Sequence, residues 1–378
     1  MPQTLLIASF SRLEQDARVR RQIALFRESR DVVTLGFGPA PEGVSRHVEI
    51  QPPPTGRARR PRAYLEAVLL RVRAYRFMYE TDPLVRQARR ALRGVSYDAV
   101  LANDIETVPL ALALRGSARV HADLHEFYPG LHDDVAAWVR LRKPYFEWLL
   151  RTFATRAASV TTVGDGVAEA LRRYGVDAEI VTNAPRFLDR QPGAVHSPVS
   201  IVHAGAPQRG RGLEQTMRAV AATTADVQLT VHLTDSNPAY VDELTRLAEG
   251  LGPRIRMRPP VAQADLVETL SGHDIGIHVM PATVTNQAVA LPNKFFDYVQ
   301  ARLGIIVGPT PGMARLVERH GLGAVTGGFD ADAIRAVLDS LDAGTVRAWK
   351  DASNTAAAPL SAEPQLPVWE RAIEALEA

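Results

Sequence analysis

Short apolar runs alternate with amphipathic stretches along most of the chain. TLLIASF (4–10), DVVTLGF (31–37), YDAVLAN (97–103), ARVHADL (118–124), SVTTVG (159–164) and AEIVTNA (178–184) read as buried strands. Between them, residues 16–29 set Val19, Ile23 and Phe26 at helical spacing. Residues 61–93 read as one or two helices, 106–115 and 167–174 as single helices, and 131–156 as a longer one. Strand and helix in alternation is the pattern of a parallel sheet with helices on both faces.

PRFLDRQPGAVHSPV (185–199) breaks the rhythm with proline, glycine and polar residues, and reads as a linker. The rhythm then restarts with SIVHAGA (200–206), VQLTVHL (227–233), RIRMRPP (254–260), DIGIHVM (274–280) and GIIVGPT (304–310) as strands. The fold class expected is therefore α/β with two Rossmann-like domains. The first spans 1–185, the linker 186–199, the second 200–360, and a C-terminal segment 361–378 carries the amphipathic helix PVWERAIEAL. Two such domains imply a cleft between them, a common place for a ligand.

Composition narrows the classes. At 378 residues with 46% hydrophobic, the chain can fill two cores. It has no cysteine, which excludes disulfides and thiolate metal sites. No stretch approaches the roughly 20 apolar residues of a membrane span, and the N-terminus reads as a first strand rather than a signal peptide. The expectation is a cytoplasmic protein. Formal net charge is +2, and only three of 44 basic residues are lysines: Lys143, Lys294 and Lys350.

HAGAPQRGRGLEQTM (203–217) reads as a strand end, a glycine-rich turn and a helix start. Backbone N–H groups in such a turn, with the helix N-terminus, suit a diphosphate. Gly205 and Gly210 shape the turn, and Arg209 and Arg211 add forked donors. The spacing nearly fits a P-loop, but Arg211 stands for the lysine and Gly212 for the Mg²⁺-binding hydroxyl, which argues against an NTPase. An ordinary strand-to-helix turn with exposed arginines is the plainer alternative. In ALPNKFFDYVQARLGIIVGPTPG (290–312), Pro292 fits the first turn of a helix and Phe295, Tyr298 and Val299 its buried stripe. Lys294, Asp297 and Ala301 share another face, where a carboxylate could accept from two ribose hydroxyls.

HADLHEFYP (121–129) brings His121, Asp123, His125 and Glu126 to a strand end, where side chains reach the ligand crevice of an α/β sheet. A metal would need two or three of them to converge, and no other such cluster supports one. A histidine touching substrate and a hydrogen-bonded structural histidine are the other readings. Asp16 reads as a helix cap, Asp104 either as a crevice residue or as a cap. Residues 57–93 carry eleven arginines against Glu66, Glu80 and Asp82, with aromatics between them. Such a face suits an anionic membrane surface or is simply solvated; no nucleic-acid motif accompanies it.

These residues carry a resemblance. DARVRRQ, YDAVLANDIETVPLA, DLHEFYP, SVTTVGDGVAEALRRYGV with IVTNAP, and GRGLEQ with LPNKFFDYVQARLGIIVGPTPGM stand in order from residue 16 onward. Together they resemble the family 4 glycosyltransferases of the GT-B fold, in a branch with an LPNK–(F/L)-E-Y signature. The resemblance implies retaining transfer from a nucleoside-diphosphate sugar without a metal or other cofactor. It implies a hexosyltransferase acting on a glycan, lipid-linked or small-molecule acceptor, as in polysaccharide biosynthesis. Arg211 falls where the family places a basic residue on the donor diphosphate, with Gly205, Arg209, Gly210 and Lys294 around it. Asp297 stands where the family has a ribose-binding glutamate. Val289 stands where many members have a glutamate facing the donor sugar, and Asn286, Leu291, Pro292 and Asn293 are its neighbourhood. His125 is similar to the first-domain histidine that contacts the transferred sugar. Asp16, Arg18 and Asp104 fall on the acceptor side. The C-terminal helix is expected to return to the first domain, and residues 57–93 could hold the protein peripherally at the inner face of a membrane. Two further readings stay open: a nucleotide-sugar epimerase of the same fold, and a non-catalytic nucleotide-sugar-binding partner of another transferase.

Overall fold

The structure is a computed structural model and describes residues 3–54, 60–116 and 119–377. Arg57 and Arg59 of the basic stretch lie outside the described residues, and so does the side chain of Arg60. The chain forms two compact units. Unit 1 comprises Met1–Thr182, Val284–Ala290 and Gln365–Ala378; unit 2 comprises Asn183–Thr283 and Leu291–Pro364.

Unit 1 is built on β1 (Thr4–Arg12), β2 (Asp31–Phe37), β3 (Arg46–Glu49), β4 (Ala99–Asn103), β5 (Val120–Leu124), β6 (Ser159–Thr162) and β7 (Glu179–Ile180). They pair in parallel in the order β3-β2-β1-β4-β5-β6-β7, so the chain reverses its direction of travel across the sheet between β1 and β4. Alternate residues face two apolar clusters. Leu6, Val100 and Ala122 face one with Phe146 and Leu149, while Leu5, Ile7 and Leu101 face the other with Trp369, Ile373 and Leu376 of the C-terminal helix.

Unit 2 is built on β8 (Val199–Gly205), β9 (Val227–Leu233), β10 (Ile255–Arg258), β11 (Ile275–His278), β12 (Gly304–Val307) and β13 (Gly323–Val325). They too are parallel, in the order β10-β9-β8-β11-β12-β13, with the reversal between β8 and β11. The stretch read as a linker packs within this unit: the Leu188 N–H bonds Gln300 at 3.1 Å, and the Leu188 carbonyl accepts from Arg302. Lys350 is fully buried and pairs with Asp274 at 2.8 Å. That carboxylate also takes the backbone N–H groups of His196 and Ser200, which ties the entry of β8 to β11.

Several expected boundaries shift for local reasons. Residues 61–93 form three helices, Arg60–Arg71, Tyr75–Glu80 and Pro83–Ala91, separated by Arg73 at φ 55° and by Pro83. The helix expected over 131–156 is broken. A five-residue π segment, Trp138–Arg142, in which the Lys143 N–H reaches the Trp138 carbonyl, precedes the α-helix Lys143–Thr152. Pro144 cannot donate into the preceding turn, so the break falls there. β7 keeps only two residues of the strand expected over 178–184, because the Thr182 N–H turns to the Gln365 side chain.

A polar network lies inside unit 1. Asp16 caps the helix Ala17–Phe26, accepting from the N–H groups of Arg18 and Val19. This sends Arg18 inward, where its Nε and Nη2 bind both oxygens of Asp123 at 2.7 and 2.6 Å and its Nη1 meets the Val181 carbonyl at 2.6 Å. The guanidinium lies 4.8 Å from the Trp369 ring centroid. Gln22 and Thr161 also donate to Asp123, at 2.6 and 2.7 Å. Burial alone would raise the Asp123 carboxyl, but Arg18 and His125 overcome it and hold it far below the usual carboxylate range. Arg18, expected on the acceptor side, is instead buried in this network.

Replacing one member of a buried ion pair strands the other charge. Arg18→Met is therefore expected to cost unit 1 about 3–5 kcal/mol in urea unfolding at neutral pH. Because the folded carboxyl is depressed, that contribution is present above about pH 4 and fades as acid titrates Asp123. A loss under about 1 kcal/mol would show that the pair is not what holds these strands together.

Candidate functional site

The C-terminal ends of β8 and β11 diverge just where the order of the second sheet reverses. Their pairing runs only over Ile201↔Ile275 and Val202↔Gly276. Past that point His203 Nδ1 bonds the Ile277 carbonyl at 3.1 Å, and the Tyr298 hydroxyl reaches the Ala204 N–H and the Ile277 carbonyl at 3.5 and 3.4 Å. A crevice at such a reversal is the usual ligand position of an open α/β sheet.

Gly205 ends β8. A Cβ added there would lie 2.5 Å from Lys294 Nζ, so the ammonium sits directly against this backbone. The turn that follows carries Gly210 at φ 76° and Gly212 at φ 78°, and delivers the chain into the helix Leu213–Ala222. At Gly212 a side chain would meet the Val279 carbonyl oxygen at 2.5 Å, so β11 and this helix start approach as closely as backbone allows.

Lys294 and Asp297 come from the helix Asn293–Gln300, whose residues from Phe295 to Gln300 are all buried. Pro292 precedes this helix rather than opening it. Lys294 is half-buried, and its ammonium is pushed down to about 7 by burial and then by Arg211, against Asp297. Two histidines close the same region. His203 is pushed down to about 3 and His278 well below the usual imidazole range, each by burial first and Lys294 next. Their ring centroids are 6.0 Å apart.

Unit 2 thus gathers Gly205, Lys294, Arg211, Asp297 and the two histidines. Arg209, expected with them, is engaged elsewhere: its guanidinium pairs with Glu243 and lies 4.5 Å from the Tyr240 ring centroid. Leu291 packs on the apolar cluster of unit 2, and Asn293 is exposed. Asn286 belongs to unit 1, where it accepts from the Phe127 N–H at 2.8 Å and donates to Glu126. Beside it, the Thr285 N–H bonds Asp133 at 3.0 Å, and Val289 packs on the first apolar cluster.

In unit 1 the ends of β4 and β5 form a second polar group. His125 Nε2 faces two acceptors, Asn103 Oδ1 at 3.0 Å and Asp123 Oδ2 at 3.3 Å, so this nitrogen carries the proton. Nδ1 lies 3.6 Å from Asp104, which also accepts the His125 N–H at 3.0 Å. Burial would lower the imidazole, but Asp104 and Asp123 prevail and raise it. Asp104 holds φ 63°, fixed by its N–H bond to the Asp123 carbonyl at 2.8 Å. Glu106, half-buried next to it, is pushed up to about 7 by burial and then by Asp104, while the Tyr128 hydroxyl bonds to it. His121 is structural: its two nitrogens meet Ser159 and Thr161 at 2.8 and 2.9 Å. Among the described residues no group of three His, Asp or Glu side chains is arranged to hold a metal.

Residues 31–192 match the model of Glycosyltransferase Family 4. Solved structures with the same fold include sucrose-phosphate synthase from Thermosynechococcus elongatus, at 12% identity and TM-score 0.71, covering 98% of both chains. Anabaena HepE in complex with UDP aligns at 14% identity and TM-score 0.68, over 98% of this chain and 99% of that one. The trehalose 6-phosphate synthase of Burkholderia multivorans aligns at 11% identity and TM-score 0.67, over 100% of this chain and 99% of that one. No curated protein sequence matches the chain significantly. These likenesses show that the chain has the GT-B glycosyltransferase fold. The family 4 match includes Asp104, Glu106 and His125, while Gly205 through Asp297 lie beyond it.

His203, His278 and Tyr128 escaped the sequence reading. The signal for the first two was present: each is a lone histidine at the end of an apolar strand run, on the two strands that flank the reversal. For Gly212→Ala, a positive φ and a carbonyl contact act together, and the expected cost is about 2–3 kcal/mol. Thermal unfolding should show it as a fall of roughly 4 °C or more. An unchanged melting temperature would mean that the turn is not held as described.

Proposed function

We propose that the chain is a retaining, metal-independent transferase that moves a sugar from a nucleoside-diphosphate sugar to a glycan, lipid-linked or small-molecule acceptor. The observation that carries this reading is the Lys294 ammonium seated against Gly205, beside Arg211, at the sheet reversal of unit 2. Departure of a nucleoside diphosphate develops negative charge on its outer phosphate. Lys294, Arg211 and the start of the helix Leu213–Ala222 would meet that charge without a divalent ion. Asp297, one turn along the same buried helix, would accept from the ribose. The polar group of unit 1 is assigned to the sugar and acceptor: His125 Nε2–H is already oriented by Asn103 and Asp123, and Asp104 and Glu106 offer carboxylates for hydroxyl groups. Retention without a positioned nucleophile is consistent with attack by the acceptor on the face from which the diphosphate leaves.

Thermal shift against UDP, GDP, dTDP and ADP, with and without EDTA, tests the reading. One nucleotide at 100 times its Kd should add about 2.7 kcal/mol, unaffected by EDTA, and Lys294→Met should remove the shift. No shift with any of the four would overturn it.

A specific surface also favours peripheral contact with an anionic membrane. Tyr64, Leu65, Val68 and Val72 on and just after the helix Arg60–Arg71, with Phe77, are exposed large hydrophobic residues, and Arg71, Arg73 and Arg76 are exposed among them. Flotation with vesicles containing anionic lipid should be lost in a Tyr64→Ser, Val72→Ser, Phe77→Ser variant and weakened by salt. Equal flotation of the variant would exclude this face.

A further inference from the structure

His278 is 2% exposed, yet among the described residues neither of its ring nitrogens has a hydrogen-bond partner. An imidazole buried in this way loses its bonds to water and gains none, at a cost that native structures rarely carry without use. Its neighbours do not satisfy it. His203 spends Nδ1 on the Ile277 carbonyl, and Lys294, pressed against Gly205, does not bond either ring nitrogen.

We propose that His278 is a phosphate-recognition residue, which donates a ring N–H to a bound diphosphate, and that the His203–His278–Lys294 cluster takes up protons as the diphosphate binds. This rests on the nucleotide-sugar reading above and adds to it a residue and a proton linkage.

The charges facing His278 and Lys294 give the sign. From β8 comes His203, from the turn Arg211, and from the helix Asn293–Gln300 come Lys294 itself, Asp297 and the Tyr298 hydroxyl. In the free protein, burial and the mutual repulsion of Lys294 and Arg211 keep the imidazoles uncharged and bring Lys294 down to about 7. A diphosphate supplies two or more negative charges at the same place and reverses that balance. Groups whose bound-state affinity for protons is raised bind the ligand more tightly when protons are plentiful. Affinity should therefore weaken as pH rises between about 7 and 8.5, where the nucleoside diphosphate's own ionisation is complete.

The test is titration calorimetry of the unaltered protein with UDP, GDP, dTDP, ADP and inorganic pyrophosphate. It is run near neutral pH in two buffers of different ionisation enthalpy, then repeated with His278→Phe and His278→Asn. The expected result is an apparent enthalpy that depends on buffer in the sense of proton uptake. With it goes about a 10-fold or greater loss of affinity in His278→Phe, partly restored in His278→Asn, which keeps a donor. Buffer dependence in the unaltered protein needs no variant to fold. If a nucleotide binds with no buffer dependence and His278→Phe binds equally well, the inference is overturned while the nucleotide-sugar reading stands. If none of the ligands binds the unaltered protein, both fall together.

Discussion

A parallel strand cannot return to its neighbour by a hairpin; it needs a crossover, and successive crossovers fill one face of the sheet and then the other. Both sheets here are wholly parallel, and each reverses direction once, at β1/β4 and at β8/β11. Many of the site side chains stand at strand ends near those reversals. In unit 1 they are Asn103, Asp104, Asp123 and His125; in unit 2 they are His203, Gly205 and His278. The crossover rule decides where backbone ends are left unpaired, and the side chains at those ends inherit the site.

The two sites solve the problem of polar groups in a dry place differently. In unit 1 each polar atom is anchored by another. Asp16 starts the helix that carries Arg18, Arg18 charges Asp123, and Asp123 with Asn103 orients His125. Such a chain of bonds is rigid and keeps its charges compensated. In unit 2 burial and the neighbouring Arg211 resist the protonation of Lys294, against Asp297.

Much of this was legible in the sequence because buried parallel strands are continuous apolar runs, and those runs stand out between helices. β3 and β13 were missed since neither contains such a run: RHVE has one buried residue and GAV none. The turn before Leu213 and the buried helix with Lys294 and Asp297 could be read from glycine and proline positions. Arg18 could not, because an arginine near a helix start is ordinarily a surface residue and only the fold reveals the carboxylate opposite it. Arg209 and Arg211 look alike in sequence. Glu243 and Tyr240, a helix away, distinguish them.

The chain passes between the units after Thr182, Thr283, Ala290 and Pro364. Seven residues, Val284–Ala290, leave the second unit, bond Asp133 and the Phe127 backbone, and go back. Neither unit is therefore one continuous stretch of gene. A truncation at the proline-rich stretch would remove two structural pieces of the first unit along with the whole of the second. For the same reason a ribosome cannot release a finished first unit before the second is made. The helix that supplies Trp369 beneath Arg18 follows the whole of the second unit in the chain, so the buried ion pair of the first unit acquires its full surroundings only after the second unit has been made.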